Sequence, residues 1–257
     1  MSSDERAVSE VVGFVLVFTL VIGTVTIVYA GGFSGLDATR DAERVNNAER
    51  AFDVMANNFE QLASGDAPNR ATEIKLSEAS LSTTSNRLTT INASGIDSAA
   101  GANPVAIRYD SGTGSQIVYE LGAVIRVDDG NAVMIREPDF LFADDRIVVR
   151  YISTRGSGQG IGGSTTTLVR GEKQSSRLLA NENGAGAENV KIEMRTHPDR
   201  APVWEAYFER EIESATGTAG PYCSTASIDA TTDRVTCDGF DVGTLAISRV
   251  RITVDLT

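Results

Sequence analysis

Few residues of this 257-residue chain have the types and spacing that chemistry requires. The segment 158–163 reads GQGIGG, which has the glycine spacing of a dinucleotide-binding loop. That loop needs a strand before it and a helix after it, whereas here the strand-like STTTLVR follows, so we interpret the segment as a flexible hairpin loop. His197, the single histidine, lies in THPD without a G-x-S-x-G or H-E-x-x-H motif, which favours a turn or a helix cap. The sequence therefore predicts no catalytic residue and no enzyme.

Paired carboxylates occur at Asp128–Asp129 and Asp144–Asp145, in both cases among turn residues. Asp139, Asp144 and Asp145 lack the ligand spacing of a calcium-binding EF-hand loop. We interpret these acids as solvated turn residues. The sequence predicts no metal site, no cofactor and no small-molecule substrate.

Cys223 and Cys237 flank the short segment STASIDATTDRVT. Metal binding is disfavoured because the chain has no CxxC motif and one histidine. A local disulfide is the favoured interpretation, contributing about 3 kcal/mol in an oxidising compartment, and two free buried thiols are the alternative. Asn92, in Asn-Ala-Ser, is a possible N-glycosylation site for an exported chain.

The formal net charge of −12 makes nucleic acid an improbable partner, since phosphate binding needs a cationic surface. Only Lys75, Lys173 and Lys191 are lysines among the 23 basic residues. An acidic, lysine-poor and arginine-rich composition resembles that of proteins from halophilic archaea. An ordinary acidic solvated surface is the alternative interpretation.

From Thr72 onward, apolar residues alternate with polar ones in short runs, separated by Gly, Asn, Asp and Ser. This pattern predicts an antiparallel β-sandwich-like head of eight to eleven strands over 66–257, with a hairpin turn at Asp129-Gly130. One helix interrupts the strands after HPD, and Trp204 on its apolar face is expected to anchor the core.

An amphipathic helix is predicted over 37–65, where apolar residues recur at spacings of three and four. This helix seam consists of Val45, Ala48, Phe52, Met55, Phe59 and Leu62. The helix is expected to end at SGDAPN. We favour packing of the seam on the head, and a coiled-coil stalk is the alternative.

The stretch from Val11 to Leu36 carries no charged residue, and about 20 apolar residues suffice to cross a bilayer as a helix. Three fates compete. The first is a secretory signal cleaved after Ala30, and the second is an uncleaved single-span anchor. The GGFSG sequence at 31–35 could end the helix or let it run on, straight or kinked.

The third fate rests on a resemblance. The stretch Arg6 to Gly13, with the pattern R-AVSEVVG, resembles the N-terminus of haloarchaeal type IV pilin-like surface proteins, which carry a class III signal peptide. The resemblance implies that residues 1–6 are a leader and that a prepilin peptidase cuts between Arg6 and Ala7. It also implies that 7–36 stays on the mature protein as a transmembrane and filament-core helix.

Glu10 would then be the fourth residue of the mature chain, near the new α-amino group. This resembles the glutamate of bacterial type IV pilins, which neutralises the N-terminus of an adjacent subunit. The common pilins of the archaeal family have proline at this position. In the alternative interpretation Glu10 lies at headgroup depth and marks the helix start.

Together these observations predict an α+β protein: a long N-terminal helix, membrane-spanning and then amphipathic, packed on a β-sandwich-like head with one extra helix. We expect a pilin-like structural subunit or minor pilin in the cell membrane, single-pass, with its head extracellular or in a surface filament. Its expected partners are the membrane, a prepilin peptidase and other pilin subunits, in homo- or hetero-oligomers. The alternative is a single-pass extracellular adhesion or binding protein that does not polymerise.

Overall fold

The computed structural model describes residues 3–85, 90–93, 96–97, 104–156, 158 and 160–257. The chain divides into two units, Met1–Arg44 and Val45–Thr257, which are described separately. The described residues contain the helices α1 (Ser3–Ser64) and α2 (Ala201–Thr216) and a 3-10 turn (Pro198–Arg200).

Helix α1 supplies the whole described part of the first unit and the first element of the second. The helix does not end at 31–35, which is helical throughout. It ends as expected at SGDAPN, where the amides of Gly65 and Asp66 both donate to the carbonyl of Gln61. Gly65 has φ +98°, a left-handed conformation that favours glycine after a helix.

Fourteen strands are described in the second unit. Their bounds are β1 Asn69–Lys75, β2 Ala79–Ser85, β3 Thr90–Ala93, β4 Ile96–Asp97, β5 Val105–Asp110, β6 Ser115–Glu120, β7 Ala123–Asp128, β8 Asn131–Arg136, β9 Phe140–Ala143, β10 Arg146–Arg155, β11 Gly160–Gly163, β12 Thr166–Thr196, β13 Cys223–Asp229 and β14 Thr232–Leu256. The predicted eight to eleven strands were therefore too few.

Two sheets make up the head. The eight-stranded sheet has the order β4-β3-β12-β14-β10-β9, with β1 added to β12 and β13 added to β14. The six-stranded sheet has the order β11-β2-β5-β6-β7-β8. Among the described strands, the pairs are antiparallel except for β10 and β14, which are parallel. The α+β class and the antiparallel, sandwich-like head are thus as predicted, and the parallel pair of β10 with β14 departs from that pattern. A parallel pair needs a long crossover connection, and here that connection contains α2.

The sequence pattern separates three segments, STTTLVRGE, SSRLLANE and NVKIEMRT. Apart from the first two residues of STTTLVRGE, all three lie in one 31-residue strand, β12. The register of β12 against β14 shifts at several places, for example between Lys173 and Ser175 and between Leu178 and Ala180. Such bulges interrupt the two-residue alternation of side chains. The sequence pattern of this one long strand therefore predicts several short strands.

The hairpin prediction is confirmed. Asp129 and Gly130 form the two-residue loop between β7 and β8, with φ values of 48° and 82°. Two successive positive φ values are typical of the turn whose twist matches that of the flanking strands.

Two apolar clusters fill the head. In the first, side chains of α2 cluster with residues of β7, β9, β10, β12 and β14. The prediction for Trp204 is confirmed: its side chain is fully buried and stacks on Phe208 with ring centroids 5.5 Å apart. In the second, α1 residues from Val45 onward pack with strands of both sheets. Leu245 and Ile247 of β14 point into the first cluster and Val250, Ile252 and Val254 into the second, so the clusters lie on opposite faces of that strand.

Candidate functional site: the apolar helix and the head surface

The first unit contains an apolar helical segment, Val11–Tyr29, that is long enough to cross a membrane. Its 19 residues span about 28 Å at 1.5 Å per residue, close to the roughly 30 Å of a bilayer core. None of the segment is buried, and it is the single such segment found in the described part of the chain.

Three threonines of this segment bond to its own backbone. The hydroxyls of Thr19, Thr24 and Thr26 donate to the carbonyls of Val15, Val21 and Ile22 respectively. A segment in lipid must satisfy its polar groups internally, because no water is available there. The segment therefore presents an almost wholly apolar surface.

The predicted processing site and the predicted pairing residue lie at the start of α1. Arg6, Ala7 and Glu10 are helical in backbone, since α1 begins at Ser3. Their side chains are outside the described residues, so cleavage between Arg6 and Ala7 and pairing of Glu10 stay predictions.

The six seam residues are all buried in the head. They belong to the second apolar cluster, together with strand residues such as Leu81 and Ile252. Phe59 meets Tyr119 edge to face, with ring centroids 5.2 Å apart. The buried face of α1 is therefore in contact with strands of both sheets.

Charged contacts flank this apolar contact. Arg136 of β8 donates to Asp53 Oδ1 at 2.6 Å, to Asn57 Oδ1 at 2.9 Å and to Glu60 Oε2 at 2.8 Å. Burial lowers the pKa of Arg136, but the hydrogen bonds of Asp53 and Glu60 outweigh burial and raise it above its usual value. One arginine thus holds three polar residues of α1 against the edge of the six-stranded sheet.

A second arginine, on the neighbouring strand β7, also bonds to α1. Arg126 of β7 donates to Asp128 Oδ2 at 2.6 Å and to Glu49 Oε1 at 2.7 Å. These hydrogen bonds raise the pKa of Arg126 above its usual value, and the bond to Asp128 contributes most. The periodicity of α1 alone could not reveal these contacts, because the arginines lie more than 70 residues away in the sequence.

The predicted disulfide is present: Cys223 and Cys237 are bonded and directly opposed on β13 and β14. Beside it lies a cavity of about 500 Å³ lined in part by Glu205, Glu209 and Glu213 of α2. Each of these glutamates accepts a hydrogen bond from the segment 220–225, and Glu209 accepts from the backbone amides of Tyr222 and Cys223. The glutamates of α2 thus hold the segment 220–225, which includes Cys223 of the disulfide.

A buried ion pair between β6 and the 3-10 turn has no signal in the sequence pattern. Glu120 Oε2 of β6 accepts from Arg200 Nε at 2.7 Å and from Thr196 Oγ1 at 3.1 Å. Glu120 is 1% exposed and Arg200 8%. Neither residue belongs to a recognisable motif, and only the pairing of distant elements brings them together.

The remaining motifs have structural explanations. His197 caps the 3-10 turn, with its Nδ1 accepting from the amide of Asp199 at 3.4 Å, which confirms the cap. The prediction of a flexible loop is wrong for Gly160–Gly163, which forms strand β11 and pairs with β2. Gly160 and Gly162 face Ser82 and Ser80 of β2, and a Cβ on either glycine would make only ordinary contacts there. No helix follows it, so the dinucleotide-binding context is missing.

Asp129, Asp144 and Asp145 lie in turns at positive φ as expected, whereas Asp128 is the last residue of β7 and pairs with Arg126. No group of three or more potential metal ligands occurs among the described residues. Asn92 lies in β3, opposite Lys191 of β12, but its side chain and Ser94 fall outside the described part. Its glycosylation stays a prediction.

Within the described residues, the fold and the apolar segment define an α+β protein with one membrane-length helix and a head of two β-sheets. Residues 6–255 match the model of a family described as "Family of unknown function (DUF7289)", and the chain belongs to that family. Comparison with curated proteins found no match. Comparison with solved structures found none either.

Proposed function

We propose that this chain is a pilin-like structural subunit or minor pilin of an archaeal type IV pilus-type surface filament. The observation that carries the proposal is the apolar segment of α1. It has the length of a bilayer core, no charged residue and no buried surface within its own unit. A helix that is apolar all round requires either lipid or other apolar helices around it.

Both environments have a place in the proposed function. Before assembly the segment anchors the subunit in the membrane. In the filament the same surface packs on the segments of neighbouring subunits. Lipid and helix surfaces are similarly apolar, so transfer between them costs little, and van der Waals packing decides the balance. Assembly of this kind needs no catalytic residue and no cofactor.

The second half of α1 serves as the amphipathic part that holds the head. Its seam residues and three neighbours, Ala56, Ala63 and the half-buried Ala51, contribute to the second apolar cluster. Arg126 and Arg136 reinforce the contact from the sheet. One continuous helix thus carries the assembly surface at one end and part of the head core at the other.

An extracellular head agrees with the chemistry of its surface. Disulfides persist in oxidising environments and are rare in the cytosol. The Cys223–Cys237 bond and the Asn92 sequon therefore both favour exposure outside the cell. The proposed maturation is cleavage between Arg6 and Ala7 by a prepilin peptidase.

A second candidate is a single-pass surface protein that binds a partner without polymerising. Glu10 is the observation that favours it, because the archaeal pilins that the N-terminus resembles have proline there. The same apolar segment would then act as an anchor only.

The N-terminus of the mature protein tests the proposal. Mass spectrometry of the protein from the membrane fraction of its own host is expected to give Ala7 as the first residue. Met1 would indicate an uncleaved anchor, and Gly31 would indicate a secreted protein without the helix, so either result would overturn the pilin assignment.

Filament assembly gives the second test. Glu10→Ala is expected to abolish surface filaments while the protein still enters the membrane, because the carboxylate that pairs with the Ala7 amine is lost. Glu10→Gln removes the charge alone and should behave in the same way. Filaments of normal length and number in both variants would refute the pairing role. If wild-type cells with fully processed protein form no filaments, the anchored-protein candidate is correct.

A further inference from the structure

Arginines converge on one face of the eight-stranded sheet, where β12, β14 and β10 lie side by side. Arg249 of β14 is directly opposite Arg177 of β12 on one side and Tyr151 of β10 on the other. In the next row, Arg251 lies between Ser175 of β12 and Ser153 of β10. Arg249 and Arg251 share a face because side chains alternate along a strand.

A fourth arginine extends this group. Arg155 lies two residues beyond Ser153 on β10, opposite Thr253 of β14, and shares the same face. We call Arg155, Arg177, Arg249 and Arg251 the arginine face. Its members differ in exposure: Arg249 is buried, Arg251 is half-buried, and Arg155 and Arg177 are exposed.

The charges are close enough to affect one another. Desolvation lowers the pKa of the Arg251 guanidinium below its usual value, and the charges of Arg249, Arg155 and Arg177 lower it further. Like charges directly opposite on neighbouring strands are destabilising. Such an arrangement has a cost even in a chain whose net charge is −12.

Buried hydroxyls line the same face. Ser153 is fully buried, and its hydroxyl has no hydrogen-bond partner among the described residues. Tyr151 is 1% exposed. Burial raises the pKa of its phenol above the usual value, while the charge and hydrogen bond of Arg249 and the charge of Arg251 act in the opposite direction. Buried hydroxyls are normally hydrogen-bonded, so the one of Ser153 requires an acceptor or donor that the described fold does not supply.

We infer that the arginine face is a binding site for a tetrahedral oxyanion, a sulfate or phosphate group, either free or carried on a saccharide chain. Guanidinium groups from Arg177, Arg249 and Arg251 would surround the anion, with the Ser153 hydroxyl as a further donor. A bound anion would offset the mutual repulsion of the arginines.

The spacing favours a tetrahedral group over a carboxylate. Opposed residues on neighbouring strands have Cα atoms about 5 Å apart, and alternate residues of one strand are about 7 Å apart. Three arginines at such positions form a triangle, which can donate to several oxygens of one anion. A carboxylate has two oxygens, and a single arginine fork satisfies both.

Neighbouring acids limit the site on one side. Glu172 lies opposite Thr253, in the row that contains Arg155, and Asp255 lies opposite Arg170 further along the same strands. The site is therefore centred on the rows of Arg249 and Arg251. Arg170, on the same pair of strands but outside these rows, provides a matched control.

Binding is tested on the full chain in nonionic detergent micelles at fixed sodium chloride. The probes are sodium sulfate, sodium phosphate and dextran sulfate, with neutral dextran and carboxymethyl dextran as controls, and calorimetric titration gives each Kd. Wild type is expected to bind at least one of the first three probes and neither control. Binding of sulfate or phosphate alone identifies a free anion as the ligand, and tight binding of dextran sulfate identifies the saccharide-borne group.

The variants assign binding to the arginine face. Arg177→Gln and Arg251→Gln are each expected to raise Kd about tenfold, since each removes a charge-assisted contact, whereas Arg170→Gln leaves Kd unchanged. If Arg251→Gln does not unfold cooperatively, the variant of the exposed Arg177 decides. The inference is overturned if wild type binds none of the three oxyanion probes, or binds carboxymethyl dextran as tightly as dextran sulfate. It is also overturned if Arg170→Gln raises Kd as much as Arg177→Gln does, or if Arg177→Gln leaves Kd unchanged. Because the site lies on the head, this result does not depend on whether the protein polymerises.

Discussion

Glu120 is the buried carboxylate among the described residues of the head. Its Oε2 atom receives the bonds of Arg200 and Thr196, while Oε1 has no hydrogen-bond partner within the described chain. A buried charge is stable only while its partner neutralises it, because the desolvation cost of each ion is several kcal/mol. Glu120 therefore links β6 of one sheet to the end of β12 in the other through Thr196, and to the following 3-10 turn through Arg200.

Glu120→Gln tests this link. The variant leaves the Arg200 guanidinium buried without a counter-charge, so we expect a loss of about 3 kcal/mol in the free energy of unfolding. Urea unfolding of the full chain in detergent, followed by Trp204 fluorescence, measures the loss. The double variant Glu120→Leu/Arg200→Leu removes both charges and is expected to recover most of the stability. A single variant as stable as wild type would show that the pair has no electrostatic role.

Arg136 gives a second test at the residue scale, because its side chain is 21% exposed and contacts three polar residues of α1. Arg136→Met keeps the apolar stem and removes the charge, and we expect it to cost about 1–2 kcal/mol. The matched control is Arg150→Met, which breaks the more exposed pair with Asp139 and should cost less than about 0.5 kcal/mol. Equal losses in the two variants, measured by urea unfolding, would contradict a special role for Arg136.

At the scale of elements, the contact between α1 and the eight-stranded sheet depends on the small size of Gly171. A Cβ placed on this residue of β12 would lie 2.6 Å from Phe59 Cε1 and 3.1 Å from Leu62 Cδ1. Its backbone needs no positive φ, so the requirement for glycine is steric. The helix therefore lies closer to the sheet here than any larger residue would permit.

Gly171→Ala should consequently destabilise the head by about 1–3 kcal/mol, because the added methyl displaces the Phe59 ring. Phe59→Leu in the same chain should recover part of the loss by making room. Gly162→Ala on β11 is the control, since its Cβ would meet its nearest atoms at an ordinary 3.7 Å. Thermal unfolding compares the three proteins, and an unchanged midpoint for Gly171→Ala would show that the helix can shift freely.

The elements differ in how far the sequence could predict them. The turn at Asp129-Gly130 and the apolar face of α2 are set by neighbouring residues, so local patterns suffice. The parallel pairing of β10 with β14 depends on residues about 100 positions apart, and no local pattern records it.

The candidate sites divide in the same way. The membrane-length segment and the Cys223–Cys237 pair are visible in composition and spacing. The convergence of Arg177 and Arg249 depends on strand register, which the bulges of β12 alter. The sequence alone therefore could not predict that these arginines lie together.

At the scale of the whole molecule, the division between the two units falls where burial begins along α1. The apolar segment up to Tyr29 contributes nothing buried, whereas the second unit starts at Val45, the first buried residue of the described helix. One helix can thus contain an exposed apolar segment and a seam buried in the head, because the two occupy different lengths of it. The stability of the head should then be independent of the apolar segment but not of residues 45–64.

Two truncations test this independence. A chain of residues 38–257 lacks the apolar segment and keeps every buried helix residue, so we expect it to be monomeric without detergent and to unfold cooperatively. A chain of residues 66–257 also lacks the buried side chains of α1, among them Phe52, Met55 and Phe59. Loss of one such side chain costs about 3–5 kcal/mol, and a whole domain has about 5–15 kcal/mol of stability, so this chain should not fold.

Circular dichroism and Trp204 fluorescence distinguish the two chains, and the 38–257 chain is itself the control for expression and disulfide formation. A cooperative transition in 66–257 at the same temperature as in 38–257 would show that the helix contributes nothing to the head. If 38–257 aggregates while the full chain in detergent is folded, the apolar segment supports the head and the two units are not independent. The expected pair of results leaves the apolar segment free to be surrounded by lipid in the membrane and by other helices in a filament, without any change in the fold of the head.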